Sequence, residues 1–407
     1  MERSTFKRRQ LLAGFASATA MGFLAGRFAD RAGKPRESNL FETPFTFSDE
    51  SRTGLFEDES FFFHDWDSHP ESASRLMQVH DELSDFKDMK FRKIAVRSSP
   101  FQGAAEWIEA LSVVHDRKYL ERVSEKIDQR DYLTQSRWSP YGGPHARDAT
   151  YKAAVGTFEL ASKVANGELA NGFALIRPPG HHAGRAFSGG YCFTNSVAYA
   201  AKRLVAKNRK PVLILDLDVH HGNGTEDIFY SSPEVTYVSV HQDDWPYTGG
   251  IERTGEGAGS GFNFNLSMPL GLAGRSWHEA VEKFVVPIVE KTRPAQILVS
   301  MGYDTHWRDP QGSMLLSVDE QMSLVASVQR VAERVCEGKV VFVLEGGYER
   351  RATALGVLNT LNRLVADKKA IIKDPLGPAP LGDAQEMAKL ESEFAKRLDS
   401  ARKVHRL

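Results

Sequence analysis

The sequence predicts an α/β fold built on a parallel sheet with helices on both faces. Short apolar runs rich in Val, Ile and Leu alternate with longer stretches in which apolar residues recur with helical spacing. Runs such as 212–215 and 340–344 contain only apolar residues, which is typical of strands buried on both faces. The chain has 407 residues, of which 41% are hydrophobic, so it can bury a large core as one α/β domain or two smaller ones.

Individual strands and helices follow from these patterns. The predicted strands are 172–176, 212–217, 235–240, 262–268, 297–300 and 340–344. The predicted helices include 194–206, 277–291 and 318–336. Functional sites of open α/β sheets form beyond the carboxyl ends of the strands. We therefore expect the functional side chains among the residues that directly follow these runs.

The two ends of the chain differ from its body. The pair Arg8-Arg9 precedes a short apolar run of small residues, which is typical of a twin-arginine export signal and predicts a periplasmic or other extracytoplasmic protein. A cytoplasmic protein, or one anchored in the inner membrane, is the alternative. The expected organisation is a signal at 1–30, a linker at 31–55, a catalytic domain at 56–380 and an amphipathic helix at 381–407.

Charge and cysteine content exclude some classes of function. The chain carries 52 Lys and Arg against 53 Asp and Glu, so it lacks the overall basic character of sequence-independent nucleic-acid binding. Its two cysteines, Cys192 and Cys336, exclude a framework of several disulfides. We therefore expect no nucleic-acid partner, and no membrane span once the signal is removed.

Metal-binding side chains follow two of the predicted strands. Asp216, Asp218 and His220 can point to one side, since successive strand residues face opposite ways. Asp304 follows the strand at 297–300. The set Asp218, His220 and Asp304 would leave a metal position open, which is typical of a catalytic site; zinc fits it, and iron(II) or cobalt would also be held. Such a metal lowers the pKa of a water ligand from about 16 towards about 7, which favours hydrolysis of a carbonyl compound.

Two further strand ends carry groups suited to amide hydrolysis. The pair His181-His182 can take a proton from water and pass it to a leaving amine. Tyr348, after two glycines, can donate a hydrogen bond to an oxyanion. Each feature taken singly is usually structural, so it is their occurrence together that indicates an active site.

The chain contains the motifs RPPGHHA at 177–183, DLDVHHGNGT at 216–225 and LEGGY at 344–348. Together they resemble the histone deacetylase superfamily, which includes bacterial class II-like amidohydrolases and acetylpolyamine amidohydrolases. The resemblance begins near Phe61. It implies an arginase-deacetylase type fold with a central parallel sheet of about eight strands and helices on both faces.

The resemblance also implies a role for each site residue. One zinc ion per subunit would lie on Asp218, His220 and Asp304. His182, held by Asn223, would be the general base and acid; His181, hydrogen-bonded to Asp216, would be its electrostatic partner; Tyr348 would polarise the acetyl carbonyl. Further implied are a potassium ion on Asp216 and Ser239, and a substrate tunnel formed by Gly190, Tyr191, Trp245 and Gln311.

The substrate is less well determined than the reaction. Gln311 stands where polyamine-selective members can place Glu, and a neutral amide attracts a cation less than a carboxylate does. The sequence PYTG at 246–249 replaces a PGTG pattern. We therefore expect a zinc-dependent deacetylase or amidohydrolase acting on an acetyl or related acyl amide of a lysine-like or small amine substrate. A two-metal ureohydrolase of the same fold and a non-catalytic acyl-ligand binder are the alternatives.

Overall fold

The computed structural model describes residues 43–66, 68–83, 89–94, 103–365 and 373–407. A nine-stranded sheet forms its centre, and all of the described strand pairings are parallel. The strands are β1 (Thr46–Phe47), β2 (Thr53–Phe56), β3 (Lys90–Lys93), β4 (Asn171–Ala174), β5 (Val212–Asp216), β6 (Val235–Gln242), β7 (Asn263–Met268), β8 (Gln296–Met301) and β9 (Val340–Leu344). Their order across the sheet is β1-β3-β2-β4-β9-β8-β5-β6-β7.

Helices connect these strands and cover the sheet. They are α1 (Ser60–Phe63), α2 (Ser74–Glu82), α3 (Ala104–Leu111), α4 (Arg117–Lys126), α5 (Ala146–Ala165), α6 (Ser196–Asn208), α7 (Asn223–Phe229), α8 (Gly274–Ala280), α9 (Val286–Thr292), α10 (Val318–Cys336), α11 (Arg350–Leu364) and α12 (Ala384–Val404). A π-helical segment, Val281–Val285, joins α8 to α9.

Contacts of β4 show that helices lie on both faces of the sheet. The Asn171 Nδ2 atom donates to the Leu364 carbonyl of α11 at 3.1 Å. A Cβ added to the next residue, Gly172, would stand 2.5 Å from Leu160 of α5. Because successive strand residues face opposite ways, α11 and α5 pack on opposite faces.

The predicted α/β class and the parallel sheet are confirmed. All six strands placed from the sequence form, with ends that differ by no more than two residues from the prediction. The sheet has nine strands where about eight were expected. The short strands β1 and β3 hold polar residues at its edge, and a pattern of apolar runs does not reveal such strands.

The prediction of a linker at 31–55 is wrong for the segment from residue 46 onward. Residues 46–47 and 53–55 belong to β1 and β2, which pair with β3. Backbone hydrogen bonds to strands far along the chain order this segment, and its local sequence carries no sign of them. Residues 31–42 lie outside the described part of the chain, as does the predicted signal at 1–30.

The C-terminal helix α12 packs on the body through one stripe. Phe394, Leu398 and Ala401 are its buried residues, and most of the others are exposed. At its end the His405 ring lies 4.8 Å from the Phe264 ring, measured between centroids. Within the ranges that the structure covers, no helix combines the length and the apolar character needed to cross a bilayer.

Candidate active site

The loops that carry the candidate residues meet because four neighbouring strands end together. In the sheet, β4 pairs with β9, β9 with β8 and β8 with β5, all in parallel. Their carboxyl ends therefore lie at one edge. This edge brings together the segments 177–183, 216–224, 302–306 and 345–348, which are far apart in the sequence.

Asp218, His220 and Asp304 form a compact, buried group. One ligand atom from each residue lies within 4.8 Å of those of the other two. The His220 Nδ1 atom is 3.2 Å from Asp218 Oδ1 and 3.3 Å from Asp304 Oδ2. Two carboxylates and one imidazole facing a common point form a donor set that suits zinc or a similar divalent metal.

The hydrogen bonds around the two carboxylates leave one oxygen without a donor. The backbone N–H of Gly346 donates to Asp218 Oδ2 at 2.8 Å, and that of Val219 donates to Asp304 Oδ1 at 3.0 Å. The other oxygen of Asp304, Oδ2, is buried and accepts no hydrogen bond from the described residues; the His220 Nδ1 atom, 3.3 Å away, is itself a candidate ligand atom. Since a desolvated carboxylate oxygen without a donor is costly, a cation is the partner that this oxygen fits.

Glycine is required where the backbone passes the two carboxylates. A Cβ at Gly346 would stand 2.1 Å from Asp304 Oδ2, and a Cβ at Gly302 would stand 2.2 Å from Asp218 Oδ2. Any side chain at these positions would push the carboxylates out of place. The strand-end glycines thus keep the metal-binding group compact.

The pKa values of the group show the electrostatic cost of burying it. Burial and the neighbouring Asp218 carboxylate raise the pKa of Asp304 to about 7. Although burial lowers the pKa of His220, the carboxylates of Asp218 and Asp304 together raise it to about 10. A divalent cation bound between the three would stabilise both carboxylates in their charged form.

His181 is held by a buried hydrogen-bond network. Its Nδ1 atom is 3.1 Å from Asp216 Oδ2, and the Tyr237 hydroxyl donates to the same oxygen at 3.1 Å. Burial lowers the pKa of His181, but the carboxylates of Asp216 and Asp218 raise it to about 10, so this imidazole carries a proton at neutral pH. Asp216 therefore orients His181, while Asp218 belongs to the metal-binding group.

His182 lies beside His181 but has the opposite electrostatic character. The two ring centroids are 3.9 Å apart, and His182 Nδ1 is 2.7 Å from Asn223 Oδ1. Burial and the charges of His181 and His220 lower the pKa of His182 well below its ordinary value. Because an amide oxygen only accepts, Nδ1 carries the hydrogen in the neutral ring, and Nε2 is the atom that can take up a proton.

Tyr348 is a half-buried residue whose loop is anchored from two sides. Asp309 accepts hydrogen bonds from the backbone N–H groups of Tyr348 and Glu349, at 2.6 and 2.9 Å. The guanidinium of Arg75 lies 4.9 Å from the Tyr348 ring centroid, and its Nε donates to the Gly347 carbonyl at 2.7 Å. Burial raises the pKa of Tyr348 well above its ordinary value, so the phenol stays a hydrogen-bond donor.

Aromatic rings enclose the approach to these groups. The Trp245 ring lies 4.7 Å from the His182 ring and 5.7 Å from the His220 ring, and the Tyr191 ring lies 5.7 Å from that of Tyr348. Gly190 has a φ of +48°, and its backbone lies against the His182 ring. A Cβ at this position would stand 2.0 Å from that ring. Gly190, Tyr191 and Trp245 thus line the site, as a tunnel requires.

Ser239 and Gln311, the other two predicted residues, form hydrogen bonds with residues outside the reacting groups. Ser239 is the register partner of Asp216 on the neighbouring strand, but its hydroxyl pairs with His241 Nδ1 at 2.9 Å. Potassium at Asp216 and Ser239 stays a prediction. Gln311 is half-buried, and its backbone N–H donates to Asp309 at 2.9 Å. Asp309 therefore links Gln311 to the Tyr348 loop, and a tunnel role for the Gln311 side chain also stays a prediction.

A buried ion network that the sequence patterns did not predict supports the site. Glu71 pairs with Arg177, with 3.0 Å between Oε2 and Nη2, and with Arg75 at 3.3 Å. Although burial acts against it, the guanidinium groups of Arg177 and Arg75 hold the pKa of Glu71 below its ordinary value. Arg75 also donates to the Glu345 carbonyl at 2.6 Å, so the network fixes the start of the Tyr348 loop. The position of Arg177, directly after the predicted strand at 172–176, is a signal that could have indicated it.

Glu345 was missed in the same way. Its Oε2 accepts the backbone N–H groups of Gly180 and His181, at 2.6 and 3.1 Å, and its Oε1 accepts the Ser300 hydroxyl at 3.1 Å. The carboxyl therefore positions the histidine pair through the backbone. Its place directly after the predicted strand at 340–344 is the signal that could have shown this.

We expect Glu345→Gln to make the stability of the metal-free protein less dependent on pH. Burial raises the pKa of Glu345 from 4.5 to about 7. The carboxyl thus contributes stability below its unfolded-state pKa, and that stability is lost as the pH rises through about 7. A glutamine can keep the accepted bonds and donate to Ser300, so at pH 8 the variant should be the more stable by on the order of 2 kcal/mol.

Urea unfolding with a chelator present, at pH 5 and at pH 8, checks this difference. Glu391→Gln, on the exposed face of α12, is the matched control and should leave the pH dependence as it is. A Glu345→Gln variant with the pH dependence of the parent would contradict the assignment.

Comparison with known proteins agrees with this geometry. Residues 69–364 match the family model of the histone deacetylase domain. A probable deacetylase of Archaeoglobus fulgidus is 33% identical over 298 residues, which cover 73% of this chain and 81% of that protein. Histone deacetylase 14, chloroplastic, of Arabidopsis thaliana is 32% identical over 318 residues, covering 75% and 74%. The crystal structure of the HDA15 HD domain superimposes with a TM-score of 0.70 at 26% identity, over 87% of this chain and 99% of that one. The chain therefore belongs to the histone deacetylase family.

Proposed function

We propose that this protein is a zinc-dependent deacetylase that hydrolyses an acetyl or related acyl amide of a lysine-like or small amine substrate. The observation that carries the proposal is the buried Asp218, His220 and Asp304 group, with an unpartnered Asp304 oxygen, beside a neutral His182 and a protonated Tyr348. Membership of the deacetylase family supports it.

The chain's own residues supply the proton transfers and the binding of developing charge. A zinc ion held by the three ligands would act as a Lewis acid and lower the pKa of a water molecule. His182 Nε2 is the base that takes the water proton and later returns it to the leaving amine. The Tyr348 hydroxyl donates to the substrate carbonyl oxygen as negative charge develops there, and the protonated His181 adds a positive charge behind His182.

A two-metal ureohydrolase is less well supported. Among the described residues, one group of three or more His, Cys, Asp or Glu side chains is suited to a metal, and it is the group already described. Asp216, a buried carboxylate two residues before Asp218, has its Oδ2 engaged by His181 and Tyr237. A second metal would have to displace these contacts.

We expect the zinc-loaded protein to release acetate from a fluorogenic acetyl-lysine amide, and Tyr348→Phe to lower kcat by about 10²- to 10³-fold. This is the usual cost of removing one oxyanion donor, and the zinc content should not change. Tyr199→Phe, which alters a phenol on α6 away from the site, is the matched control. Tight binding without turnover would favour the acyl-ligand binder, and two metals per chain would favour the ureohydrolase.

A further inference from the structure

Tyr247 occupies a backbone conformation that its packing does not explain. Its φ is +58°, in the left-handed region where a Cβ is unfavourable, and its side chain is 80% exposed, the highest value among the large hydrophobic residues of the described chain. The Tyr247 N–H donates to the Asp244 carbonyl at 2.8 Å, so a turn fixes the strained residue. Glycine would form the same turn without strain. An exposed aromatic ring held at this cost indicates a function outside the folded core.

Tyr247 belongs to the same loop as Trp245, a residue that lines the candidate active site. Pro246 alone separates it from Trp245, whose ring contacts the rings of His182 and His220. On the other side of Trp245, the Trp138 ring lies 5.3 Å away at an interplanar angle of 33°. Trp138 is half-buried, as is Trp245. Trp245 and Trp138 therefore extend an aromatic surface outward from the buried groups, and the exposed Tyr247 follows Trp245 after one residue.

The charges around this row argue against a cationic substituent. The Arg137 guanidinium already lies over Trp138, 4.6 Å from the ring centroid. Of the two neighbouring carboxylates, Asp243 pairs with Arg397 at 2.7 Å, while Asp244 lies close enough to Tyr247 to raise the pKa of its phenol. Arg137 and Asp244 offset one another, so the wall offers aromatic surface without a net charge that would select an ammonium group.

We infer that Trp138, Trp245 and Tyr247 form an aromatic rim that binds a neutral, planar group on the amine side of the scissile amide. The planar group of the substrate stacks on Tyr247, and this contact contributes to substrate specificity. The enzyme therefore favours acyl-lysine derivatives that carry an aromatic group next to the lysine over aliphatic acylated amines. The inference rests on the proposed function and narrows its substrate class.

The test compares two substrates of one chemistry: acetyl-lysine as its aminomethylcoumarin amide and as its methylamide, with acetate release measured for both. We expect the ratio of their kcat/KM values to favour the coumarin amide in the parent. Tyr247→Gly, which also relieves the backbone strain, should reduce that ratio by about 2- to 10-fold, the range of one aromatic contact. Tyr247→Leu should reduce it as well, whereas Tyr247→Phe should retain it.

Val404→Ala, on an exposed position of α12, is the control for a change of surface hydrophobicity and should retain the ratio. An unchanged ratio in Tyr247→Gly, or a Tyr247→Phe variant that loses as much as Tyr247→Gly, overturns the inference. If the parent hydrolyses neither amide, the proposed function fails, and the ratio of the two calorimetric Kd values in parent and Tyr247→Gly then tests the rim by itself.

Discussion

Replacing Asp304 with asparagine is expected to remove tight zinc binding and to lower kcat/KM by more than about 100-fold, since loss of a direct ligand should exceed the effect of losing an outer-shell partner. The amide oxygen can still accept the Val219 N–H, so the fold should be retained. The same change removes one of two buried like charges, because burial and Asp218 raise the pKa of Asp304. The metal-free variant should therefore be more stable than the metal-free parent.

A metal ligand is distinguished from a structural carboxylate by two opposite effects of its substitution. Zinc binding becomes weaker, while the metal-free protein becomes more stable. Zinc content by elemental analysis, kcat/KM and urea unfolding with a chelator measure the three quantities. Asp374→Asn is the matched control, since Asp374 is also buried but bonds His306 at 2.8 Å. That control should lose stability and keep its zinc. An Asp304→Asn variant that keeps both zinc and activity would exclude Asp304 as a ligand.

Replacing His182 with alanine is expected to lower kcat by about 10²- to 10⁴-fold with unchanged zinc content, which is the usual range for a general base. The reason is geometric, because Asn223 turns Nδ1–H away and leaves Nε2 to take up the proton. His278→Ala, at a half-buried histidine on α8, is the control and should keep the activity of the parent.

Asn223→Asp refines this prediction through its pH dependence. A carboxylate beside Nδ1 would favour the protonated ring and raise the pKa of His182 from its lowered value. Since the base acts unprotonated, the acidic limb of the kcat/KM profile should move to higher pH while the enzyme stays active. An unchanged profile, together with full activity in His182→Ala, would assign the proton transfer to another group.

Local sequence patterns were sufficient for most of the sheet. The strand β9 and the helix α10 form over the predicted residues, because an apolar run and a helical period are properties of short segments. The strands β1 to β3, which form one side of the sheet, escaped prediction because pairing with strands far along the chain orders them. The candidate metal ligands could be predicted for a related reason. Parallel strands end at one edge of the sheet, so residues that follow different strands must meet there.

The supporting groups depend on contacts that no local pattern contains. Glu345 reaches the backbone of His181 across 164 positions, and Arg177 reaches Glu71 across 106. Each is buried and charged, and its partner is fixed only once the loops pack together. The exposure and positive φ of Tyr247 are likewise visible only in the folded chain.

By itself the sequence determined the fold class, the edge of the sheet that carries chemistry and the residues suited to bind a metal, because strand periodicity and residue type act locally. Only the tertiary structure decided which of the two neighbouring histidines is protonated. His181 is protonated beside Asp216, and His182 is neutral beside Asn223, although both are imidazoles in one dipeptide. Burial and the charges contributed by other strands set that difference, and they exist only when the chain is folded.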